Sequence, residues 1–175
     1  MLDNSDTLLA LAEIAATFTG FAALVSVIRP GPRPSGQVLH DLLRLRLVIA
    51  SSVAGVAGAL IPVGLAGYGL DADLIWRVAS ALLLIMGYGI IIALVGSYRR
   101  VTTEFDPDRP AVVVVTSIEL IEQVSLLIVL LGVPFGNPAA LYVTALIGNL
   151  CQAGFVFVRF VGSTFRRESR PARGA

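Results

Sequence analysis

The sequence predicts an all-α fold, a polytopic transmembrane helical bundle with five spans, which forms a single integral membrane domain over residues 1–175. Composition is the first indication, because 56% of the residues are hydrophobic and only 14% are charged. An ordinary soluble domain carries about 25% charged residues, so this chain is better suited to hydrocarbon than to water. The second indication is five apolar stretches long enough to cross a hydrocarbon core about 30 Å thick. They cover approximately residues 7–28, 45–66, 74–95, 111–133 and 139–161.

The first stretch, 7–28, is predicted to be a retained span rather than a secretory signal. Its leader MLDNSD is acidic, its apolar run is longer than that of a signal peptide, and Arg29 and Pro30 follow it directly. Three prolines in the segment RPGPRPSG then end the helix, because proline lacks an amide donor. The segment QVLHDLLRLRLV is predicted to form a short interfacial helix that leads into the second span.

Small residues, turns and aromatic residues support the later elements. In the second span, Gly55 and Gly58 predict close helix contacts and Pro62 predicts a kink. The uncharged turn VPFGNP makes the fourth and fifth spans an antiparallel hairpin. Four aromatic side chains near span ends are predicted to lie at the outer membrane surface, as interfacial aromatics do. They are Tyr68, Trp76, Phe135 and Tyr142.

Loop charge predicts the orientation, because cytoplasmic loops accumulate basic residues. The amino terminus carries Asp3 and Asp6 but no base, and basic loops alternate with loops that carry few or no bases along the chain. This pattern places the amino terminus outside and the carboxyl terminus in the cytoplasm. Residues 163–175 then form an Arg-rich cytoplasmic tail that can contact anionic lipid. The bases of the tail are Arg166, Arg167, Arg170 and Arg173.

The fourth span contains two acidic residues, Glu119 and Glu122, within an otherwise apolar run. They lie three residues apart and therefore share one helical face. Glu122 lies about 16 Å along the helix axis from Ala111, close to the bilayer midplane. Each acidic side chain at this depth costs about 2.5 to 3.5 kcal/mol for insertion, and the two together nearly cancel the contribution of the Val, Ile and Leu residues of the span. The fourth span is therefore expected to depend on neighbouring helices.

Polar residues on two other spans are candidate partners or route residues. The fifth span places Asn149, Gln152 and Arg159 along one stripe, which predicts a polar seam with Glu119 and Glu122. The first span carries a second stripe at helical spacing. It includes Glu13 and Thr17, and Arg77 lies at a depth compatible with that of Glu13.

Two functional interpretations remain open at this point. An oligomeric channel or ion- or proton-conducting protein would use Glu13, Glu119 and Glu122 as route residues, since ionisable residues inside membranes commonly mark ion pathways. Alternatively, the chain is a non-conducting membrane subunit or scaffold whose polar residues serve helix packing. The expected partners are the lipid bilayer and further copies of the chain, in a homo-oligomer. No enzymatic motif, cofactor site, metal-ligand cluster or nucleic-acid-binding pattern is recognisable, so none of these functions is expected.

The stretch LAEIAATFTGFAALVSVIR resembles the opening of small multi-pass bacterial membrane proteins of uncharacterised function. The resemblance covers roughly the first span. It implies a location in the bacterial cytoplasmic (inner) membrane and supplies no activity.

Overall fold

The predicted all-α architecture is confirmed by a computed structural model, which describes residues 4–27, 35–102 and 109–168. This part of the chain forms five helices and no strand. All five are long and apolar enough to cross a membrane. The helices are α1 (Ser5–Val27), α2 (Ser35–Ala66), α3 (Ala72–Thr102), α4 (Arg109–Leu131) and α5 (Pro138–Glu168).

Three helices extend well beyond the predicted spans, and one of them is α3, which continues past residue 95 to Thr102. Because α2 begins at Ser35, the predicted interfacial helix is the first part of this one continuous element, which also runs uninterrupted through Pro62. The α5 helix continues to Glu168, so residues 163–168 of the predicted tail are helical. Residues 169–175 lie outside the described residues.

The turn between α4 and α5 has well-defined helix caps. Gly132 adopts a left-handed conformation with φ of 64°, and the Val133 amide donates to the Ile128 carbonyl at 3.1 Å, as in a Schellman motif. At the start of α5, the Asn137 side chain accepts a hydrogen bond from the Ala139 amide at 2.9 Å. The proline that follows Asn137 occupies the first helical position, where a missing amide hydrogen costs nothing.

The helices pack as a ring in the order α2, α3, α4, α5, with α5 closing against α2. The α1 helix lies outside this ring and packs against α2 and α5. We refer to the end that holds the start of α1 and the two short turns as the N-terminal end of the bundle. The opposite end, where α5 finishes, is the C-terminal end.

The half of the bundle near the N-terminal end is filled by an apolar core that draws on all five helices. Trp76 and Tyr142 pack against each other in this core, with ring centroids 5.4 Å apart. Both are buried between helices, so neither is an exposed interfacial aromatic of the kind that the sequence predicted. Tyr68 and Phe135, by contrast, are exposed on the two turns. Trp76 and Tyr142 are buried because their helical positions face the ring interior, which proximity to a span end does not reveal.

The other half contains a smaller apolar cluster centred on Ala22, Val48 and Val156. Helices α1, α2, α4 and α5 contribute to this cluster, whereas none of its described members belongs to α3. The space between α3 and its neighbours in this half is occupied by a cavity.

Candidate functional site

The candidate site is a cavity of about 430 Å³ enclosed by α2, α3, α4 and α5. It extends from the middle of the bundle toward the C-terminal end. Its α4 wall runs from Ala111 to Glu122, and its α5 wall runs from Asn149 to Arg159. Since one water molecule occupies about 30 Å³ of liquid, the cavity has room for a small molecule or for several hydrated groups.

All five residues of the predicted polar seam line this one cavity. Helix α4 contributes Glu119 and Glu122, and α5 contributes Asn149, Gln152 and Arg159. The helical spacing of these residues places them on the faces that α4 and α5 turn toward the ring interior. Residues of α2 and α3 also line this cavity. The predicted seam is therefore part of the wall of a four-helix cavity rather than an interface between two helices.

Glu122 and Gln152 form the deep polar end of the cavity. Glu122 is 3% exposed and Gln152 is 6% exposed. The Oε2 atom of Glu122 and the Oε1 atom of Gln152 have no hydrogen-bond partner among the described residues. Buried polar atoms are usually paired, so two unpaired acceptors beside a cavity mark a place suited to a donor or a positive charge.

Glu119 lies one turn closer to the C-terminal end and is held within α4. Its Oε1 atom accepts a hydrogen bond of 2.8 Å from Nε2 of Gln123. This bond orients one carboxylate oxygen along the helix surface. Gln123 is buried and its side chain lies close to Gly87 on α3. A β-carbon at Gly87 would lie 3.7 Å from Nε2 of Gln123.

Asn149 is positioned by close contact between α5 and α2. Its Oδ1 atom would lie 3.2 Å from a β-carbon at Gly55, so the absence of a side chain there makes room for the amide. The same glycine approaches Ala15 of α1. Gly55 is thus a point where α1, α2 and α5 meet, as its small size predicted.

Two arginines lie at the end of the cavity nearer the C-terminal end of the bundle. Arg44 is contributed by α2 and Arg159 by α5. The guanidinium carbon of Arg159 lies 5.5 Å from the centroid of the Phe155 ring, within cation–π range. The cavity is therefore polarised, with acidic and amide groups at its deep end and basic groups near its other end.

Glu13 and Thr17 are not part of this cavity. Both are exposed on α1, which lies outside the ring, and the Thr17 hydroxyl donates to the Glu13 carbonyl at 2.8 Å. Arg77 lies on α3, on a helix that α1 does not contact. Its guanidinium occupies the place where a β-carbon of Gly132 would be, next to the end of α4. Within one chain, the structure therefore separates Glu13 from Arg77.

Sequence reasoning missed the contributions of α2 and α3 to the cavity. Ser51 is 4% exposed and lines the α2 wall, and Gly87 lines the α3 wall. Neither residue stands out in an apolar span. For the contact between α2 and α5, by contrast, the sequence contained a usable signal. Pro62 follows Gly58 by four residues and leaves the Gly58 carbonyl without its usual helical donor.

Fold and site together define a class: a multi-pass helical membrane protein with a polar cavity inside its membrane-spanning bundle. No protein-family model, curated protein or solved structure matches the chain.

Proposed function

We propose that this protein conducts ions or protons, and that the cavity is the path by which they reach the middle of the membrane. The observation that carries the proposal is that both carboxylates of α4 line the cavity. Each lies within about 3 Å, along the axis, of the midpoint of Arg109–Leu131. A carboxylate at this depth is energetically costly, so its presence commonly indicates an ion pathway or a charged partner. Here both carboxylates line a cavity.

The path is closed on the other side by the apolar core near the N-terminal end. Leu83, Leu126 and Leu146 are each about 1% exposed and belong to this core, together with the Trp76 and Tyr142 pair. Ions do not cross such a packed apolar layer, which acts like the hydrophobic constrictions that gate channels. Conduction therefore requires the core to open, and the described conformation is a closed state.

The proposed setting is the bacterial inner membrane, with the amino terminus outside and the carboxyl terminus in the cytoplasm. Loop charge supports this orientation. The cavity then extends toward the cytoplasm, and the arginines near that end, Arg44 and Arg159, lie in the half of the membrane where basic residues are favoured.

Purified protein in liposomes tests the proposal. Proton and monovalent cation fluxes would be measured under imposed gradients, with empty liposomes as the blank. The double variant Glu119→Gln, Glu122→Gln is expected to lose the flux, because an amide keeps the size of the carboxylate but neither carries a proton nor neutralises a cation. Glu13→Gln is the matched control, since Glu13 lies outside the cavity, and it should conduct like the natural protein. Absence of flux under every gradient, or equal loss in the control, would refute the proposal.

A second function, that of a non-conducting membrane subunit, is favoured by a different observation. Glu13 is exposed on the outer face of α1, about 4.5 Å along the axis from the midpoint of Ser5–Val27. Thr17 and Gly20 are exposed on the same face, and a β-carbon at Gly20 would meet nothing within 4 Å. Small and polar residues of this kind mediate helix association in membranes, so this face suits a second copy of the chain.

Energy transfer between differently labelled copies in liposomes tests this assembly. Glu13→Leu is expected to weaken association if copies meet at this face. Ile92→Ala, at an α3 position that is 74% exposed, serves as the control. Association that survives Glu13→Leu would place the contact elsewhere, and strong association without any flux would favour the subunit function over conduction.

A further inference from the structure

The cavity has a side that faces lipid, between α3 and α4. Near the N-terminal end these helices pack together, with Leu83 and Leu84 in the same core as Leu126 and Val129. In the other half the cavity separates them, and no described residue of α3 joins the apolar cluster there. In the half nearer the C-terminal end, the described residues of α3 and α4 therefore meet across the cavity.

The walls on this side are largely apolar, apart from Thr116 on α4. From α3 come Ile90, Ile91 and Leu94, and from α4 come Val112 and Val115. Ile91 is 36% exposed and Val112 is 43% exposed, so the lining is continuous with the surface that meets lipid in a membrane. A hydrated ion is disfavoured beside such a wall, whereas an alkyl chain that comes from lipid keeps an equally apolar environment there.

The deep end has the opposite chemistry. Glu122 Oε2 and Gln152 Oε1 are buried acceptors without a partner among the described residues, on side chains more than nine-tenths buried. Both residues lie near the middles of their helices, Arg109–Leu131 and Pro138–Glu168. The Oδ1 atom of Asn149, another buried residue of the lining, is likewise without a partner among the described residues. A ligand with several N–H donors and a positive charge suits a cavity end that offers such acceptors.

We propose that the cavity binds an amphiphilic primary amine, in its ammonium form, which enters from the lipid between α3 and α4. The ammonium group is held by Glu122 and Gln152, and the alkyl chain lies along the apolar walls of α3 and α4. The volume of about 430 Å³ exceeds what a single ion with one or two water molecules needs. Occupation of the cavity does not require conduction, so this inference stands apart from the proposed function.

Binding would be measured by equilibrium dialysis of radiolabelled octylamine against the protein in lipid nanodiscs, with empty nanodiscs subtracted. Saturable binding of one molecule per chain is expected. Octyltrimethylammonium has the same charge and chain but no N–H donor, and octanoate has the opposite charge. Both are expected to compete poorly with octylamine.

Two variants test the two halves of the site. Glu122→Gln is expected to weaken octylamine binding by about tenfold or more, because a charge-assisted hydrogen bond is roughly twice as strong as a neutral one. Gly87→Leu places a side chain in the cavity from the α3 wall and leaves both glutamates in the chain. A β-carbon at Gly87 makes only an ordinary 3.7 Å contact, with Nε2 of Gln123, and SDS titration checks that the leucine variant folds. It is expected to abolish binding.

Gly89→Leu is the matched control for the cavity-filling variant. Gly89 lies two residues further along the same helix, is exposed, and has nothing within 4 Å of its β-carbon position. Octylamine should bind this variant as it binds the natural protein. The inference is overturned if the natural protein binds no more octylamine than empty nanodiscs do, if the two leucine variants behave alike, or if Glu122→Gln binds normally. It is also overturned if the quaternary ammonium competes as well as the amine.

The flux and binding assays separate this inference from the proposed function. Saturable octylamine binding without any flux supports the amine site and removes the conduction proposal. Flux that depends on Glu119 and Glu122, without octylamine binding, does the reverse.

Discussion

The Tyr142 hydroxyl donates a buried hydrogen bond of 2.7 Å to the Gly58 carbonyl, joining α5 to α2. In a regular helix this carbonyl would accept from the amide four residues later, but that residue is Pro62, which has no amide hydrogen. Tyr142 therefore supplies the donor that the proline removes. Such replacement partners explain how membrane helices tolerate internal prolines.

This relationship predicts the effect of Tyr142→Phe. Removing the hydroxyl leaves a buried carbonyl unsatisfied, so the free energy of unfolding should fall by about 1 to 3 kcal/mol. The measurement is SDS titration of the protein in mixed micelles. Tyr68→Phe is the control, because Tyr68 is 83% exposed on the turn after α2 and should leave stability unchanged.

A double-mutant cycle with Pro62→Ala sharpens the test. Alanine restores the amide donor at position 62, so the Gly58 carbonyl no longer depends on Tyr142. The cost of Tyr142→Phe should therefore be clearly smaller in the Pro62→Ala background, with a coupling energy of about 0.5 kcal/mol or more. Equal costs in the two backgrounds would mean that the hydroxyl does not compensate for the proline.

A second prediction concerns the packing of Gly58. A β-carbon there would lie 2.9 Å from Cδ2 of Leu146 and 3.1 Å from Cδ1 of Leu83. Gly58→Ala should overpack the α2, α3 and α5 junction and lower the free energy of unfolding by about 1 to 3 kcal/mol. Gly64→Ala, in the same helix with nothing within 4 Å, should be neutral or slightly stabilising. If both variants unfold alike, the close approach is absent.

A third prediction concerns the end of α4. Gly132 and Gly136 both have positive φ, 64° and 72°, so alanine should cost about 1 to 2 kcal/mol at either position. Only Gly132 also faces Arg77, whereas a β-carbon at Gly136 meets nothing within 4 Å. Arg77 is exposed and its guanidinium can move aside, so Gly132→Ala should exceed Gly136→Ala in cost by only a small margin in SDS titration. Adding Arg77→Ala to Gly132→Ala should remove this extra loss in the free energy of unfolding. An extra loss that persists without Arg77 would argue against the contact between Arg77 and Gly132.

A fourth prediction tests the proposed orientation by cysteine labelling of whole cells. The native Cys151 would first be replaced by serine. A membrane-impermeant maleimide should then label Phe135→Cys, on the exposed α4–α5 turn, in intact cells. Asp106→Cys, between α3 and α4, should be labelled only after the cells are opened. The reverse pattern would invert the topology, and with it the side from which the cavity is reached.

The seam residues show how far sequence reasoning could reach within the site. Helical periodicity grouped Glu119 with Glu122, and Asn149 with Gln152, because residues three apart share a face whatever surrounds the helix, and all four line the cavity. Periodicity does not say which helix that face meets. The stripe of Glu13 and Thr17 has the same spacing, yet the structure places it on the outside of the bundle.

Chain composition and hydropathy alone determined that this protein consists of five apolar helices, and loop prolines and glycines marked where most of them end. These are local properties, set by the transfer of each segment into hydrocarbon and by backbone sterics. Tertiary structure alone decided that four helices form a ring, that Trp76 and Tyr142 close one half of it, and that a cavity occupies the other. The physical reason is that each helix can rotate about its axis at little intrinsic cost. Only contacts such as those at Gly55 and Gly58, between segments far apart in sequence, select one rotation and so choose which side chains face the interior.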